Sequence, residues 1–333
     1  LLPFASGPSP RAGHAMAFDA TRDRLVVFGG LTDGEKRLDD TWLYDGTTWS
    51  QPTLTQPSPP PRLNAKMVFD PDRKLILLFG GHAADPEGEL VMLDDTWEWD
   101  GSEWTEVATK HKPPGRGFYG MAYDTAERRV LLLGGATASP PIPAAAVVDD
   151  LWAFDGTDWS EVTWPAGPRP VARSGNAMAF DTDRERLVVF GGNARDEELN
   201  DTWEWDGTTW EERTSLPTPG TGGGFGQDAT TDNAFYVGGY VTAGGFDLQP
   251  AWWFDGAHWT RVPTDGPSAR SDAMVAVQGT EAVVFGGASG SGAFAKLYSD
   301  TWTWSQEGGW TKRGDAGPDA RSQGAMAADP VRG

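Results

Sequence analysis

Six versions of one phrase run through this chain and restrict its fold more than any other feature. They are "DDTWLYDGTTW" from 39, "DDTWEWDGSEW" from 94, "DDLWAFDGTDW" from 149, "NDTWEWDGTTW" from 200, "QPAWWFDGAHW" from 249 and "SDTWTWSQEGGW" from 300. A phrase repeated so often is architecture before it is a site. A glycine doublet closing an apolar run recurs in step with it, at Gly29–Gly30, Gly80–Gly81, Gly134–Gly135, Gly191–Gly192, Gly238–Gly239 and Gly286–Gly287. Successive doublets lie 51, 54, 57, 47 and 48 residues apart. Each unit also opens alike, as in "RAGHAMAFD" from 11, "RLNAKMVFD" from 62, "RGFYGMAYD" from 116 and "RSGNAMAFD" from 173, while "RSQGAMAAD" from 321 starts one unit more.

Each unit reads as four short strands: the opening apolar strand A, the "LVVF"-type strand B, the "TWEW" strand C, and strand D with the last tryptophan. Asp-Gly between C and D signals a two-residue hairpin, since both residues tolerate positive φ. The 43 glycines and 25 prolines suit short strands and tight turns and not helices. Four antiparallel strands repeated at about 50 residues predict all-β propeller blades around a central channel.

A formal charge of -21 repels nucleic-acid phosphates and anionic lipid surfaces, so neither is an expected partner. No run of 18 apolar residues is present to insert in a membrane. The absence of cysteine excludes disulfides, thiolate catalysis and thiolate metal ligands. Because residue 1 is leucine and not methionine, localisation stays open, with a secreted or periplasmic setting favoured over the cytoplasm.

The Gly-Gly doublet after strand B, the aromatic-Asp-Gly at the end of strand C, and the tryptophan about seven residues beyond the first together resemble the kelch repeat, in its bacterial form. The resemblance covers nearly the whole chain and implies a single kelch β-propeller of six blades. The blades are expected over about 11–52, 62–107, 116–162, 173–213, 220–262 and 270–313, with 321–333 an extra innermost strand that closes the ring. Seven blades, or a longer chain, remain the alternative. Twelve tryptophans spread by symmetry over two repeat positions are expected to fill the wedges between blades rather than to form a sugar platform.

From the aspartate ending strand A to the first glycine of the doublet the spacing is 10 in five blades. From the second glycine to the strand-C tryptophan it runs 12, 16, 17, 11, 13 and 15. The face carrying the B-to-C and D-to-A connections is therefore the expected binding face. Kelch proteins resembling this one bind ligands at the channel mouth there, which marks two positions. One follows the doublet and includes His82, Asn193 and Tyr240. The other opens strand A and includes Arg11, His14, Arg62, Asn64, Arg116, Phe118, Tyr119, Arg173, Asn176, Arg270 and Asp272.

The recurring arginines have two readings, a structural bond to a neighbouring loop or a guanidinium ring able to hold carboxylates. In blade 5, "GTGGGFGQD" replaces the arginine-led opening, and small residues there face Phe118 and Tyr119 in blade 3. Four histidines without metal-ligand spacing, and turns without a full oxygen set, give no metal site and no cofactor. The leading functional expectation is a module binding a protein or glycan. Its alternatives are an enzyme acting on an acidic sugar, like the kelch-built sialic-acid mutarotases, with Asp272 as a candidate base, and a structural propeller in a larger assembly. The copper-radical oxidases built on kelch propellers need a cysteine that this chain lacks.

Overall fold

The computed structural model describes residues 7–32, 36–84, 87–138, 146–194, 197–213, 223–227, 233–241, 246–247, 251–256, 258–290 and 296–314. Six four-stranded antiparallel sheets form a six-bladed β-propeller, each blade built from consecutive segments. Blade 1 comprises Ala15–Asp19, Arg24–Phe28, Thr41–Tyr44 and Trp49–Ser50; blade 2, Lys66–Asp70, Leu75–Phe79, Thr96–Trp99 and Trp104–Glu106; blade 3, Gly120–Asp124, Arg129–Leu133, Leu151–Phe154 and Trp159–Val162. Blade 4 comprises Ala177–Asp181, Arg186–Ala194, Glu197–Trp205 and Trp210–Arg213; blade 5, Gly224–Gln227, Asn233–Val237, Ala251–Asp255 and Trp259–Val262; blade 6, Met274–Gln278, Glu281–Phe285, Thr301–Ser305 and Gly309–Gly314. The N-terminal copy of strand A pairs inside blade 1. The expected closing strand at 321–333 lies outside the described residues.

The core is a set of layers between blades. Ala15, Ala17, Val26, Phe28 and Leu43 of blade 1 pack on Ala65, Met67, Ile76, Leu78, Trp97 and Trp99 of blade 2, and equivalent layers join each later pair. None of the 17 tryptophans is exposed. The strand-D tryptophans reach backwards: the indole N–H groups of Trp104, Trp159 and Trp259 donate to the hydroxyls of Thr41, Thr96 and Thr202 in the preceding blade, each at 2.9 Å. Leu151 stands where those threonines stand, and the Trp210 indole that follows it has no acceptor among the described residues.

The face away from the variable loops is built from two repeating turns. In the A–B turn the aspartate ending strand A accepts backbone N–H groups two and three residues on, as Asp19 does from Thr21 and Arg22. Its last residue has positive φ in blades 1 to 4 (Asp23, Lys74, Arg128, Glu185). The C–D connection differs from the expected two-residue hairpin. Tyr44 pairs with Trp49, so four residues form the loop, with Asp45 Oδ1 accepting from Thr47 and Thr48 and with Gly46 at φ +88°. The aspartate side chain replaces a second glycine in closing it. The D-to-A linkers also reach this face: Glu103 in one C–D turn holds Thr55 and Gln56, and Asp158 in the next holds Lys110 and His111. Hydrogen-bond acceptance from the His111 backbone, chiefly, brings the Asp158 carboxyl down to about 2.

Candidate functional site

The opening of strand A is held by one unit, repeated blade by blade. Arg62 donates through Nε to Pro60 O (3.1 Å), through Nη1 to Gly80 O (3.0 Å), and through Nη1 and Nη2 to both Asp95 oxygens (2.7 and 2.6 Å). Asp95 accepts in addition from the Trp97 indole at 2.7 Å. The same bidentate pairs are Arg11–Asp40, Arg116–Asp150, Arg173–Asp201 and Arg270–Asp300, with Trp42, Trp152, Trp203 and Trp302 as third members. Burial opposes ionisation of Asp95, but its bonds to Arg62 and the guanidinium charge win and hold its carboxyl below the usual range; Asp40 and Asp300 behave alike.

The same residues also join blades. The N–H of the second doublet glycine donates to the carbonyl of the next blade's arginine, from Gly30 to Arg62, Gly81 to Arg116, Gly135 to Arg173 and Gly239 to Arg270, at 2.8–2.9 Å. A Cβ on Gly81 would lie 2.7 Å from Leu63 O and 2.8 Å from Ala65 N, and Gly81 has φ +87°. Those contacts of Gly81 are to its own blade, while a Cβ on Gly80 would lie 2.9 Å from Arg116 O of the next blade, so both glycines are required by close backbone approach.

The guanidinium ring considered from the sequence does not exist as an exposed rim. The side chains of Arg11, Arg62, Arg116, Arg173 and Arg270 are at most 4% exposed and their donors are spent on protein acceptors. Tyr119 is likewise fully buried: its hydroxyl donates to Phe79 O and accepts from the Lys66 N–H at 3.0 Å, sealing blades 2 and 3. Burial pushes its phenol pKa up.

What the frame presents is the second residue after each arginine, always in the left-handed region: Gly13, Asn64, Phe118, Gly175 and Asp272, at φ +52° to +67°. Neighbours are tied through the backbone, Asn64 N–H to Gly13 O at 2.8 Å and Gly175 N–H to Phe118 O at 2.6 Å. Asn64 Nδ2 lies 2.9 Å from His82 Nε2, and the Phe118 ring lies 5.9 Å from that of His82. His82 is 5% exposed, and burial first and the Arg37 charge second lower its pKa. His14, Asn193 and Asp272 are half-buried at the same mouth, with Asn193 paired through its backbone to Ser174. Tyr240 pairs with Asp247 at the base of a loop hairpin, and its side chain lies outside the described residues.

The variable face carries added hairpins: His82–Ala84 with Leu90–Met92, the long B and C strands of blade 4, Tyr240–Val241 with Phe246–Asp247, and Ala288–Ser289 with Lys296–Leu297. Sequence reasoning missed two residues here. Tyr298 lays its ring over Arg270, with the guanidinium carbon 4.1 Å from the centroid. Lys66 stands in the inner strand of blade 2. Among the described residues no group of His and acids could hold a metal ion, and no helix is long and apolar enough to cross a membrane.

Residues 3–163 match a family model, the KLHDC2/KLHL20/DRC7 Kelch-repeats domain. Mei4-dependent protein 6 of Schizosaccharomyces pombe is 28% identical over 218 residues, which are 60% of this chain and 30% of that protein. Dynein regulatory complex subunit 7 of Chlamydomonas reinhardtii is 42% identical over 78 residues (23% and 7%), and an F-box/kelch-repeat protein of Arabidopsis thaliana 29% over 171 (47% and 33%). The chain therefore spans a third or less of these relatives' own lengths. The solved structure of YjhT aligns over 93% of this chain and 99% of its own, with a TM-score of 0.68 at 16% identity, a likeness of fold. Six copies of the doublet and tryptophan phrases folded as six blades, together with the Kelch-repeats domain model over residues 3–163 and the kelch-repeat relatives, support a kelch-repeat family for this chain.

Proposed function

We propose that this propeller binds a protein partner across the face formed by the B-to-C loops and the channel mouth. A kelch propeller fits a protein-interaction module. The observation that carries the finer reading is a division of labour within each blade: one buried Arg–Asp–Trp frame, the same in five blades, presents Asn64, Phe118 and Asp272 together with hairpins that differ from blade to blade. An asymmetric partner needs such non-repeating groups on a rigid support. A protein suits this mouth better than a glycan, because no tryptophan is exposed to offer an open stacking platform.

The test compares affinity capture from the native source by three purified forms: the parent, a mouth variant with Asn64→Ala and Phe118→Ala, and a turn-face variant with Thr47→Ala and Thr208→Ala. The reading expects a protein captured by the parent and the turn-face variant, lost by the mouth variant, and rebound in the same pattern after purification. Capture indifferent to the mouth changes refutes it.

A further inference from the structure

Lys66 occupies the first position of the inner strand of blade 2, where the other blades carry Ala15, Gly120, Ala177, Gly224 and Met274. It is the one cation on the six described inner strands. Its backbone is fixed by the Tyr119 hydroxyl, and among the described residues nothing pairs with its ammonium. The side chain is exposed to solvent, while the protein atoms around the channel lower its pKa by desolvation. Around the channel the inner strands present half-exposed Met16, Phe69, Met121, Met178 and Phe180, so the walls are largely apolar.

A second group on these walls also lacks a partner. Asn176, one residue before the inner strand of blade 4, is 6% exposed, and neither its Oδ1 nor its Nδ2 has a hydrogen bond among the described residues. It points at blade 3, where a Cβ on Gly120 would lie 2.5 Å from its Nδ2. Blade 3 thus lacks a side chain at the position that Lys66 fills in blade 2, and the amide projects into that gap beside the Met178 side chain, whose Cβ and Sδ would lie 2.6 and 2.8 Å from the same Cβ. A buried amide with both ends unmet signals a water or ligand that completes it. The Lys66 ammonium is a local positive charge, the one cation on the described inner strands, and is the group there that an anion would meet.

We propose that the channel binds a small organic carboxylate with a short apolar tail, its oxygens meeting the Lys66 ammonium and the Asn176 amide and its tail lying on the methionines and phenylalanines. The site lies inside the ring and is separate from the protein-binding face, so either reading stands or falls without the other. Entry is from the mouth, past Phe118.

The test is calorimetric titration of the intact protein with sodium butyrate, with acetate, chloride and inorganic phosphate as comparisons. Butyrate is expected to bind 1:1 and more tightly than acetate, while chloride and phosphate do not displace it. Lys66→Met, a change blade 6 already carries as Met274, weakens binding about tenfold or more, and Asn176→Ala weakens it severalfold. Unchanged thermal unfolding of Lys66→Met excludes misfolding as the cause. As a second measurement, butyrate slows acetylation of Lys66 by trace acetic anhydride, read by peptide mass spectrometry, and leaves Lys312 unaffected. No saturable butyrate binding, binding indifferent to Lys66→Met, or equal binding of phosphate would each overturn the assignment.

Discussion

Replacing Arg62 by methionine tests whether the recurring arginine is a strut. The change keeps the buried apolar stem and removes four hydrogen bonds, to Pro60 O, Gly80 O and both oxygens of Asp95. Asp95 keeps the Trp97 indole, and its side chain is 17% exposed, so water recovers a part of the loss. Breaking one partner of a buried pair costs about 3–5 kcal/mol, and the partial access of Asp95 puts Arg62→Met near 3 kcal/mol. Asp95→Asn leaves a guanidinium of 1% exposure without its counter-charge and belongs at the upper end of that range. The double variant should cost less than the two single changes added, with a coupling of about 2 kcal/mol or more. Urea unfolding followed by tryptophan fluorescence measures this, with an unchanged denaturant slope as the check that the transition stays comparable. The pH dependence gives an independent arm. The folded pKa of Asp95 is depressed, so its stabilisation is complete above the ordinary aspartate value and is lost as pH falls through the lower folded value. Arg62→Met should flatten that acid limb. Strict additivity, or an Arg62→Met protein as stable as the parent, would refute the strut.

Gly81→Ala forces a methyl to within 2.7 Å of Leu63 O at φ +87° and should cost about 3 kcal/mol or more, seen as a fall in urea midpoint; a neutral result would mean that the packing of the doublet on its own blade's strand-A opening is not rigid. Thr96→Val leaves the buried Trp159 indole without its acceptor, as Trp210 is already, and should cost about 1–3 kcal/mol in the same assay. His82 should stay neutral at pH 6.5 and titrate only below it in an NMR titration, because burial and Arg37 disfavour the imidazolium. Its depressed folded pKa makes stability rise with pH up to the ordinary histidine value, and a titration at or above 6.5 would exclude the buried site.

The blades were legible because every level of the sequence agrees on them: apolar strands of constant length, glycine where two blades meet, aspartate where a turn needs an acceptor. The strut was legible too, through a joint absence. Blade 5 has Gly220 where the other blades have arginine and Pro250 where they have the paired aspartate, as expected if the two serve each other. Likewise Leu151 and the unmet Trp210 show the Thr–Trp bond by its failure in one blade. The C–D loop was misjudged because Asp-Gly fixes where a chain reverses, while the register of Tyr44 with Trp49 fixes how many residues the loop holds. Lys66 was invisible because a polar residue on a short strand reads as solvent-facing, and a channel is a kind of solvent that only the closed ring creates.

A repeat protein separates scaffold from site by symmetry, since a residue that recurs in most blades is held by contacts that recur with it. The arginines illustrate this: five copies have five sets of the same partners, and none is left over for a ligand. The converse identifies candidates. Lys66 and Asn176 each occur in one blade at a position where other blades differ, and among the described residues neither side chain has a protein partner that would explain it. Burying an amide unpaired is unfavourable on its own, so the retention of Asn176 beside a channel that also carries a lone cation is accounted for by something that enters it. On the two proposals made above, the broken symmetry at the mouth and that in the channel would serve different partners, one large and outside the ring, the other small and within it.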